Sequence, residues 1–405
     1  MLTTQTSGSS EAASAGANFP VRSASSEFAA VARELALAAG FDLSGVAPVP
    51  QPGSAEDYAE LGLVEEWINA GHAGEMEYLK RRDEQGRLLR SSLRVALPWA
   101  RSVVVCALNY NSAAPLSIAD APSGTGWIAR YAQSSRQEAD GAYPTDYHHV
   151  LLRKLQQVEQ GLRDRLQATG GVEDAQFESR CYVDTGPVVE RIYAKYAGIG
   201  WTGKNTCILN QQLGSWMFLG VIVTSLELPA DHAVNIAADR CGSCTRCIDA
   251  CPTDAIIAPH LLDANRCIAY LTIEKKGIIA EELRAPMGRH VFGCDICQDV
   301  CPWNRRAPIS TSEELQPREQ LVNPALDWLA ALDNAAFKRL FKGSPVERTQ
   351  LKRLRRNTAI AMGNSGNPDF LPQLRIWATG DDAVLAETAR WASDRLRSKL
   401  QGVPE

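Results

Sequence analysis

Residues 241–252 read CGSCTRCIDACP and residues 294–302 read CDICQDVCP, and the fold must bring these two segments together. Both end in C-x3-C-P, and the first contains the complete C-x2-C-x2-C-x3-C run. This spacing is typical of bacterial ferredoxins with two [4Fe–4S] clusters, in which the last cysteine of each run binds the other cluster. The second segment lacks one thiol of the pattern, and Cys267 upstream provides it.

The ferredoxin rule divides these eight cysteines into two sets of ligands. The first thiol set is Cys241, Cys244, Cys247 and Cys301, and the second thiol set is Cys267, Cys294, Cys297 and Cys251. Between Cys267 and Cys294 lie 26 residues, many more than in a simple ferredoxin. So long an insertion between ligands predicts that something beyond electron storage is built there.

Two other uses of clustered cysteines fit the spacing less well. Zinc ribbons pair two C-x2-C units across a longer gap, and the compact triple of the first segment is not their pattern. A disulfide framework requires a secreted chain, and nothing in this sequence indicates secretion. The three remaining cysteines, Cys106, Cys181 and Cys207, are expected to be buried packing residues.

Length and composition predict an ordinary globular protein. The chain has 405 residues, 45% hydrophobic and 22% charged, which suits two or three domains. Its longest apolar run, residues 216–223, is too short to span a bilayer. Residues 1–27 are rich in serine and alanine and carry no export signal, so we predict a disordered tail and a cytoplasmic protein without a membrane partner.

Charge is unevenly distributed along the chain. The net charge of −5 argues against indiscriminate coating of nucleic acid. A basic segment near the C-terminus nevertheless contains Lys338, Arg339, Lys342, Arg348, Lys352, Arg353, Arg355 and Arg356. This segment is either a phosphate-contacting surface or a solvated helix face, and the sequence leaves both open.

The hydrophobic pattern predicts an α/β or α+β domain, then the cluster ligands, then helices. Helices are expected at 28–39, 64–82 and 146–166, and buried strands at 102–108 and 216–225. Residues 111–145 are predicted to be mostly loop. Helices at 351–362, 370–378 and 382–400 resemble one helical repeat of the HEAT type.

Residues 198–204 read GIGWTGK and nearly match two nucleotide-binding motifs. Those motifs require a strand before the glycines and a helix after them. Here a helix is predicted before them, at 187–197, and a short strand-like segment after them, at 206–210. The glycines are therefore interpreted either as a helix C-cap or as a close approach of backbone to a large flat cofactor.

Asp184 lies in the segment CYVDTGPVV at 181–189. A carboxyl group among valine, proline and aromatic side chains could serve as a general acid with a raised pKa. Alternatively, Asp184 could cap the helix predicted to begin at 187. The residues alone leave both roles open.

Several motifs together resemble epoxyqueuosine reductases, the cobalamin-dependent family of the last step of queuosine synthesis in tRNA. They are GEMEYL at 74–79, GWIARYA at 126–132, DYHHVL at 146–151, VDTGPVVER at 183–191, GIGWTGKNTCILN at 198–210, GSWMFLG at 214–220 and CIAYLTIE at 267–274, with the full cysteine pattern. The resemblance spans nearly everything from about 60 to 310.

This resemblance implies an α+β multidomain fold. Its parts are a nitroreductase-like cobalamin-binding catalytic domain at 28–230, a ferredoxin-like domain with two [4Fe–4S] clusters at 231–310, and a C-terminal α-helical HEAT-like domain at 311–405. It also implies the reaction, which is reduction of the epoxide of epoxyqueuosine in tRNA to queuosine. The protein is expected to act as a monomer. Electrons would pass from an external donor such as a flavodoxin or ferredoxin through both clusters to cobalamin.

The resemblance also implies roles for individual residues. Asp184 falls on the catalytic acid, which protonates the departing oxygen. Lys204, Thr206 and Ile208 fall on the loop along the cobalamin, and Arg87 is a further cobalamin contact. The chain departs from the family at 133–145, which widens a usually short link near the substrate, and at Ala269, where serine is common. His148 and His149 are expected to be helix-surface or packing residues.

Two other functions remain as alternatives. A cobalamin-dependent reductive dehalogenase also joins a cobalamin domain to two clusters, but those enzymes usually carry a twin-arginine export signal, which is absent here. A ferredoxin-type electron carrier would need neither the first 230 residues nor the glycine-rich loop.

Overall fold

The computed structural model describes residues 21–53, 58–139, 141–169, 177–229 and 238–400. The first helix, α1, spans Val21–Ala38, so it begins inside the segment predicted to be a disordered tail. The rest of that segment, residues 1–20, lies outside the described residues. In the part of the chain that is described, no helix is long and apolar enough to cross a membrane.

An antiparallel four-stranded sheet forms the centre of the N-terminal half. Its strands are β1 (Leu43–Pro48), β2 (Ser102–Asn109), β9 (Met217–Thr224) and β6 (Ser179–Tyr182), in that order across the sheet. All eight residues of β2 are buried. A run rich in valine suits a strand covered on both faces, so the two strands predicted from apolar runs are confirmed.

Helices cover the two faces of this sheet. Val104, Cys106 and Leu108 of β2 pack with α1 and with α4 (Tyr147–Thr169). The alternate residues of β2 pack with α5 (Glu190–Tyr196) on the other face. Successive side chains of a strand point to opposite faces, so one apolar run contributes to two cores. The helix predicted at 146–166 is confirmed as α4.

The helix predicted at 64–82 is wrong in its second half. The observed helix, α2 (Ala59–Asn69), ends before Gly71 and Gly74, which both have positive φ. Gly74 lies against the ring of Tyr270, where a Cβ atom would meet the ring at 2.5 Å. The glycines therefore end the helix. They also let this turn approach the part of the chain that contains the eight cluster cysteines, residues 241–301, here called the cluster region.

The segment 111–145 is not only loop. It contains β3 (Trp127–Ile128), which pairs with β12 (His290–Phe292), and a hairpin of β4 (Ser134–Glu138) and β5 (Gly141–Pro144). Strand β4 also pairs with β13 (Gln316–Pro317). The expected loop at 133–145 is therefore a strand pair that joins the N-terminal half to the chain beyond the cluster region.

The cluster region is built from short elements. Its helices are α6 (Arg246–Asp249), α7 (Ile268–Ile273), α8 (Glu281–Arg284) and α9 (Ile296–Asp299), and the strands β10 (Ile256–Ala258) and β11 (Leu261–Leu262) form a hairpin. Cys247 lies on α6 and Cys297 on α9, and these two helices contact each other. Packing the two helices together places the two cysteine runs side by side.

The remainder of the described chain is helical. Its helices are α10 (Leu326–Ala330), α11 (Asn334–Phe341), α12 (Gln350–Ser365), α13 (Leu371–Ala378) and α14 (Ala383–Leu400), and the last three confirm the predicted helices. Their apolar core also includes Ile128, Val291 and Phe292. The helical part is therefore packed directly on the cluster region and on the chain near β3.

The remaining named elements are short. The helix α3 spans Leu93–Ala96, and β7 (Trp201–Thr202) pairs with β8 (Ile208–Leu209).

Candidate active site

A large cavity lies where the three parts of the chain meet. Its volume is about 1890 Å³, roughly twice the upper end of the usual range for small-molecule sites. The central sheet and its helices contribute Tyr147, Asp184 and Glu190, the cluster region contributes Ile273 and Glu274, and the helical part contributes Arg348. Ile273 and Glu274 belong to the insertion between Cys267 and Cys294, so this insertion does form a wall of the cavity.

Asp184 projects into this cavity from the segment after β6. Its φ of +57° lies in the left-handed region that non-glycine residues seldom adopt. The side chain is 53% exposed, and its Oδ2 accepts a hydrogen bond from the Tyr147 hydroxyl. Asp184 is not a helix cap, because the residue that caps α5 is Val189 and no side chain bonds to that end. Backbone conformations of this kind cluster at functional sites, which makes Asp184 a candidate site residue.

Tyr147 is held rigidly behind Asp184. Its ring stacks on Phe218 with centroids 4.2 Å apart and meets Tyr131 edge-on at 5.8 Å. Burial, and then the charge of Asp184, raise the pKa of Tyr147 well above its usual value. The hydroxyl therefore keeps its proton and acts as a donor to the carboxylate.

His148 faces Asp184 as well, which the prediction of a surface or packing residue missed. Its Nε2 lies 3.7 Å from Asp184 Oδ2, and its Nδ1 lies 2.8 Å from Asp146 Oδ1. Arg348 donates to Asp146 Oδ2 over 2.9 Å. Burial alone would raise the pKa of Asp146, but the bonds from His148 and the charge of Arg348 outweigh burial and lower it.

Glu190 is a second carboxyl group that lines the cavity, and the sequence analysis did not single it out. The residue is 9% exposed, and its Oε1 has no hydrogen-bond partner among the described residues. Arg90 and Arg191 donate instead to the carbonyl oxygens of Val188 and Thr206. Burial, and then the charge of Asp184, raise the pKa of Glu190 to about 7. The only signal in the sequence was its place six residues after Asp184.

Of the four other residues predicted to bind a cofactor, one lines the cavity and three do not. Thr206 lines the cavity, with a φ of +65°. Lys204 instead bonds the carbonyl oxygens of Gly242 and Cys244, at 2.7 and 3.0 Å. Ile208 is 4% exposed in the core beside the sheet. Arg87 is 59% exposed and pairs with Asp83, and neither Arg87 nor Lys204 lines the cavity.

The glycine-rich loop begins as a helix C-cap, one of the two interpretations given above. Gly198 has a φ of +74°, and the amide of Ile199 bonds the carbonyl of Ala194 over 3.0 Å. Both features are typical of a Schellman motif. A Cβ at Gly200 would lie 2.1 Å from the carbonyl oxygen of Leu209, so this glycine permits the close pairing of β7 and β8.

The two thiol sets predicted from spacing are brought together. Burial and the neighbouring thiols of Cys301, Cys241 and Cys244 raise the pKa of Cys247 to about 11. The second set is likewise assembled: burial, and then the thiols of Cys267 and Cys251, raise the pKa of Cys294, and Cys297 lies beside Cys294 and Cys267. The residues between Cys241 and Cys247 are mostly exposed, whereas most residues that flank Cys294 and Cys297 are buried, so the second set lies deeper in the protein than the first.

These two sets suit clusters rather than single ions. In the described part of the chain, no three His, Cys, Asp or Glu side chains converge on a position for one metal ion. The thiolates of a [4Fe–4S] cluster each bind a different iron, so they surround a volume instead of a point. All eleven cysteines are free thiols. Cys207, expected to be a packing residue, interacts with Cys297 and Cys267 and so lies beside the second set.

Trp201 separates the cavity from the first thiol set. Its ring is 1% exposed, lines the cavity, and packs with Cys301 and Cys241 in one apolar cluster. Trp303, two residues after Cys301, meets it edge-on at 5.0 Å. Trp201 and Trp303 therefore fill the space between Cys301 and the cavity.

The basic segment of the C-terminal part is divided between surface and core. Lys338, Arg339, Lys342, Arg348 and Lys352 are exposed, whereas Arg353 and Arg355 are half-buried and bond backbone carbonyls. Arg356 is 2% exposed and bonds the carbonyl oxygens of Leu271, Lys275 and Gly277. Neither interpretation from the sequence holds for Arg356, which is a packing residue.

The fold and the site define a double-cluster iron–sulfur protein whose clusters adjoin a cavity large enough for a bulky cofactor. A family model described as "4Fe-4S double cluster binding domain" matches residues 240–304, and one described as "Epoxyqueuosine reductase QueG, DUF1730" matches residues 90–185. Relatives that are at least 34% identical over more than four fifths of the chain show that it belongs to the epoxyqueuosine reductase family. It therefore combines helices and a sheet with a region that binds two [4Fe–4S] clusters.

Relatives and solved structures cover nearly the whole chain. An epoxyqueuosine reductase of Xanthomonas campestris is 38% identical over 367 residues, 90% of this chain and 95% of the relative. That of Escherichia coli K12 is 34% identical over 331 residues, 81% of this chain and 80% of the relative. A crystal structure of epoxyqueuosine reductase with an epoxyqueuosine-modified tRNA-Tyr stem loop has a TM-score of 0.74 at 28% identity, covering 95% of this chain and 94% of that one.

A second solved structure bears on the cavity. It is the epoxyqueuosine reductase of Bacillus subtilis with an aspartate-bearing catalytic loop swung out of the active site, and its TM-score is also 0.74, at 28% identity over 95% of this chain and 94% of that one.

Proposed function

We propose that this protein reduces the epoxide of epoxyqueuosine in tRNA to the alkene of queuosine. The relatives that match almost its full length are epoxyqueuosine reductases, and one solved relative is bound to epoxyqueuosine-modified tRNA. The observation that carries the proposal is Asp184, a strained aspartate held by Tyr147 in a cavity bounded by the cluster region. The aspartate-bearing catalytic loop of the Bacillus subtilis enzyme supports this choice.

The cofactor of this proposal is cobalamin, and the cavity fits it. The volume of about 1890 Å³ exceeds what a nucleoside alone requires, and Leu63, Val64 and Trp67 give one side of it an apolar lining. Trp201 and Thr206 belong to the segment that forms β7, β8 and the loop between them, and both line the cavity. We propose that this segment holds the corrin ring. Bound there, cobalamin would supply low-valent cobalt as the two-electron reductant. The side chains of Arg87, Lys204 and Ile208 do not line the cavity, so they are left out of the proposed cobalamin contacts.

Asp184 is the proposed proton donor. Conversion of an epoxide to an alkene and water takes up two electrons and two protons, and the oxygen leaves poorly unless it is protonated. Asp184 delivers one proton to this oxygen while the Tyr147 hydroxyl fixes its carboxyl group. Glu190, with its pKa near 7 and no hydrogen bond at Oε1, can hold the second proton in the same cavity.

The division of the chain forms part of the proposal. We assign residues 28–230 to a nitroreductase-like catalytic domain and residues 231–310 to a ferredoxin-like domain that binds the two clusters. Residues 311–405 form the third part, a helical HEAT-like domain. The eight thiols are proposed as ligands in the two sets given above. An external donor would load the first set in a cytoplasmic monomer, and electrons would pass through the second set towards the cavity.

The tRNA-binding surface is smaller than the sequence suggests. Among the exposed cations of the helical part, Lys338, Arg339 and Lys342 remain available to phosphates, whereas Arg348 also pairs with Asp146. Arg348 lines the cavity, so it marks where the backbone of a splayed-out nucleotide would lie. Arg356 and its half-buried neighbours are excluded from this surface.

One experiment tests the function directly. The anaerobic protein is incubated with a strong reductant, cobalamin and tRNA that contains epoxyqueuosine, and the digested nucleosides are weighed by mass spectrometry. We expect the modified nucleoside to lose the mass of one oxygen, and no loss would refute the proposal.

A variant pair tests Asp184. Asp184→Asn should bind cobalamin but lose turnover, whereas Asp83→Asn, which changes a carboxyl group outside the cavity, should keep it. Equal turnover of both variants would remove Asp184 from the role of acid.

A further inference from the structure

Three arginines around the first thiol set have no charged partner. Arg246, Arg305 and Arg306 are exposed, and within the described ranges none of their side chains forms an ion pair or hydrogen bond. We call these three residues the arginine rim.

The rim residues lie beside cysteines of the first thiol set on two separate segments of the chain. Arg246 precedes Cys247 on α6, while Arg305 and Arg306 follow Cys301 and the short turn after it. Cys247 and Cys301 lie side by side in the first set, so the two segments converge there. None of the three arginines lines the active-site cavity.

The acidic residues of the same region are already partnered. Asp239 pairs with His260 at 3.5 Å, and Asp254 with Arg266 at 3.8 Å. Asp249 accepts a hydrogen bond from Thr245 over 2.7 Å. Among the described residues, no carboxylate pairs with Arg246, Arg305 or Arg306, so their positive charges stay exposed beside the first thiol set.

The rim also includes apolar surface. Pro302 is exposed directly after Cys301, and Ile309 is 54% exposed a few residues further on. Interfaces between proteins combine arginine with apolar side chains, and lysine is depleted in them. A phosphate-binding surface needs the arginines but gains nothing from exposed proline and isoleucine.

We propose that the arginine rim is the docking surface for an acidic one-electron carrier protein. The proposal rests on the proposed function, because a reductase must take electrons from outside. Electron tunnelling weakens steeply with distance, and the first thiol set is the shallower of the two, so a donor must dock beside it. A negatively charged carrier surface would be steered to the three unpaired arginines and oriented over this set.

The test measures cluster reduction alone, without cobalamin or tRNA. Oxidised protein with both clusters is mixed anaerobically with a reduced flavodoxin of acidic surface, and loss of cluster absorbance is followed by stopped flow. The variant is Arg305→Glu with Arg306→Glu. The matched control is Arg375→Glu with Arg390→Glu, an equal charge reversal on exposed residues of α13 and α14 that have no proposed role.

We expect the rim variant to lower the second-order rate constant about 10-fold or more at low ionic strength and to flatten its salt dependence. The control variant should react like the unmodified protein. Reduction by photoreduced deazaflavin, a small reductant that needs no docking surface, should be equal in all three proteins. If charge reversal lowers the iron content, Arg305→Gln with Arg306→Gln carries the same test.

An unchanged rate with flavodoxin, or an equal loss in the control variant, would overturn the proposal. So would a rim variant that binds the tRNA stem loop more weakly while its flavodoxin rate stays unchanged, because that result assigns the arginines to phosphate. Failure of the reductase assay would leave this measurement intact, since cluster reduction requires neither cobalamin nor tRNA.

Discussion

Replacement of Arg356 by methionine should loosen the wall of the active site from a distance. Arg356 lies on α12, and its guanidinium bonds the carbonyl oxygens of Leu271, Lys275 and Gly277 at 2.6, 2.7 and 2.7 Å. These carbonyls end α7 and the turn after it, where a helix leaves its last carbonyls unsatisfied and favours a cation. Burial lowers the pKa of Arg356 to about 10, so it remains charged at neutral pH.

The expected loss follows from these three bonds. A hydrogen bond from a charged donor contributes about 1.5 to 3 kcal/mol, and a buried carbonyl left unpaired costs about 1 to 3 kcal/mol. Bonds of one network do not add fully, so we expect Arg356→Met to destabilise the contact between α7 and α12 by roughly 4 kcal/mol. The same helix offers a control in Lys352, whose side chain is 65% exposed and forms one ion pair of 3.4 Å with Asp382. Lys352→Met should cost about 0.5 kcal/mol or less.

Amide hydrogen exchange read by mass spectrometry suits this measurement, because a multidomain protein with clusters does not unfold in two states. Peptides that cover residues 268–277 and 350–357 should exchange much faster in Arg356→Met than in Lys352→Met. Equal exchange in the two variants would refute the assignment of Arg356 to packing. It would then return Arg356 to the candidates for tRNA contact.

Three further predictions concern the cavity and its walls. Tyr147→Phe should lower turnover about 10-fold or more at unchanged cobalamin affinity, because Asp184 loses the donor that orients it; equal turnover would contradict this role. Glu190 has its pKa raised from 4.5 to about 7, so its contribution to stability is complete below about pH 4.5 and is lost as the pH rises through 7. Glu190→Gln should therefore abolish a pH dependence of up to about 3 kcal/mol in this window, measured by hydrogen exchange of α5; an unchanged profile would exclude Glu190 as its source. Gly74→Ala should disorder the turn against Tyr270, where its Cβ would meet the ring at 2.5 Å, whereas Gly71→Ala, with open space around it, should strain only its own backbone; the exchange of residues 70–79 distinguishes the two.

Predictions from local spacing survived in the folded chain. Both thiol sets assembled as the ferredoxin rule assigns them, because a short run of cysteines can surround a cluster in few ways. The strands β2 and β9 and the helix α4 were also predictable, since their apolar periods are long and uninterrupted. The end of α2 was missed because the apolar residues beyond Gly71 continue the helical period although the backbone turns there.

The sequence did not show which charged side chains are exposed to solvent and which are buried. Arg356 and Lys352 lie on one helix and are both basic, yet one is 2% exposed and the other has a side chain 65% exposed. His148, expected to be a helix-surface or packing residue, has its Nε2 3.7 Å from Asp184 Oδ2. A charge pattern does not indicate which face of a helix another part of the chain will cover.

The sequence by itself predicted the core strands, the eight thiols proposed as iron ligands and the candidate acid Asp184, because each depends on residue types within a few positions of one another. The tertiary structure alone decided that Tyr147, His148 and Glu190 share a cavity with Asp184 and that Arg356 holds the wall formed after Cys267. It also decided that the arginine rim has no partner among the residues that the structure describes. These facts depend on contacts between segments far apart in the chain, and the packing of the whole core sets such contacts.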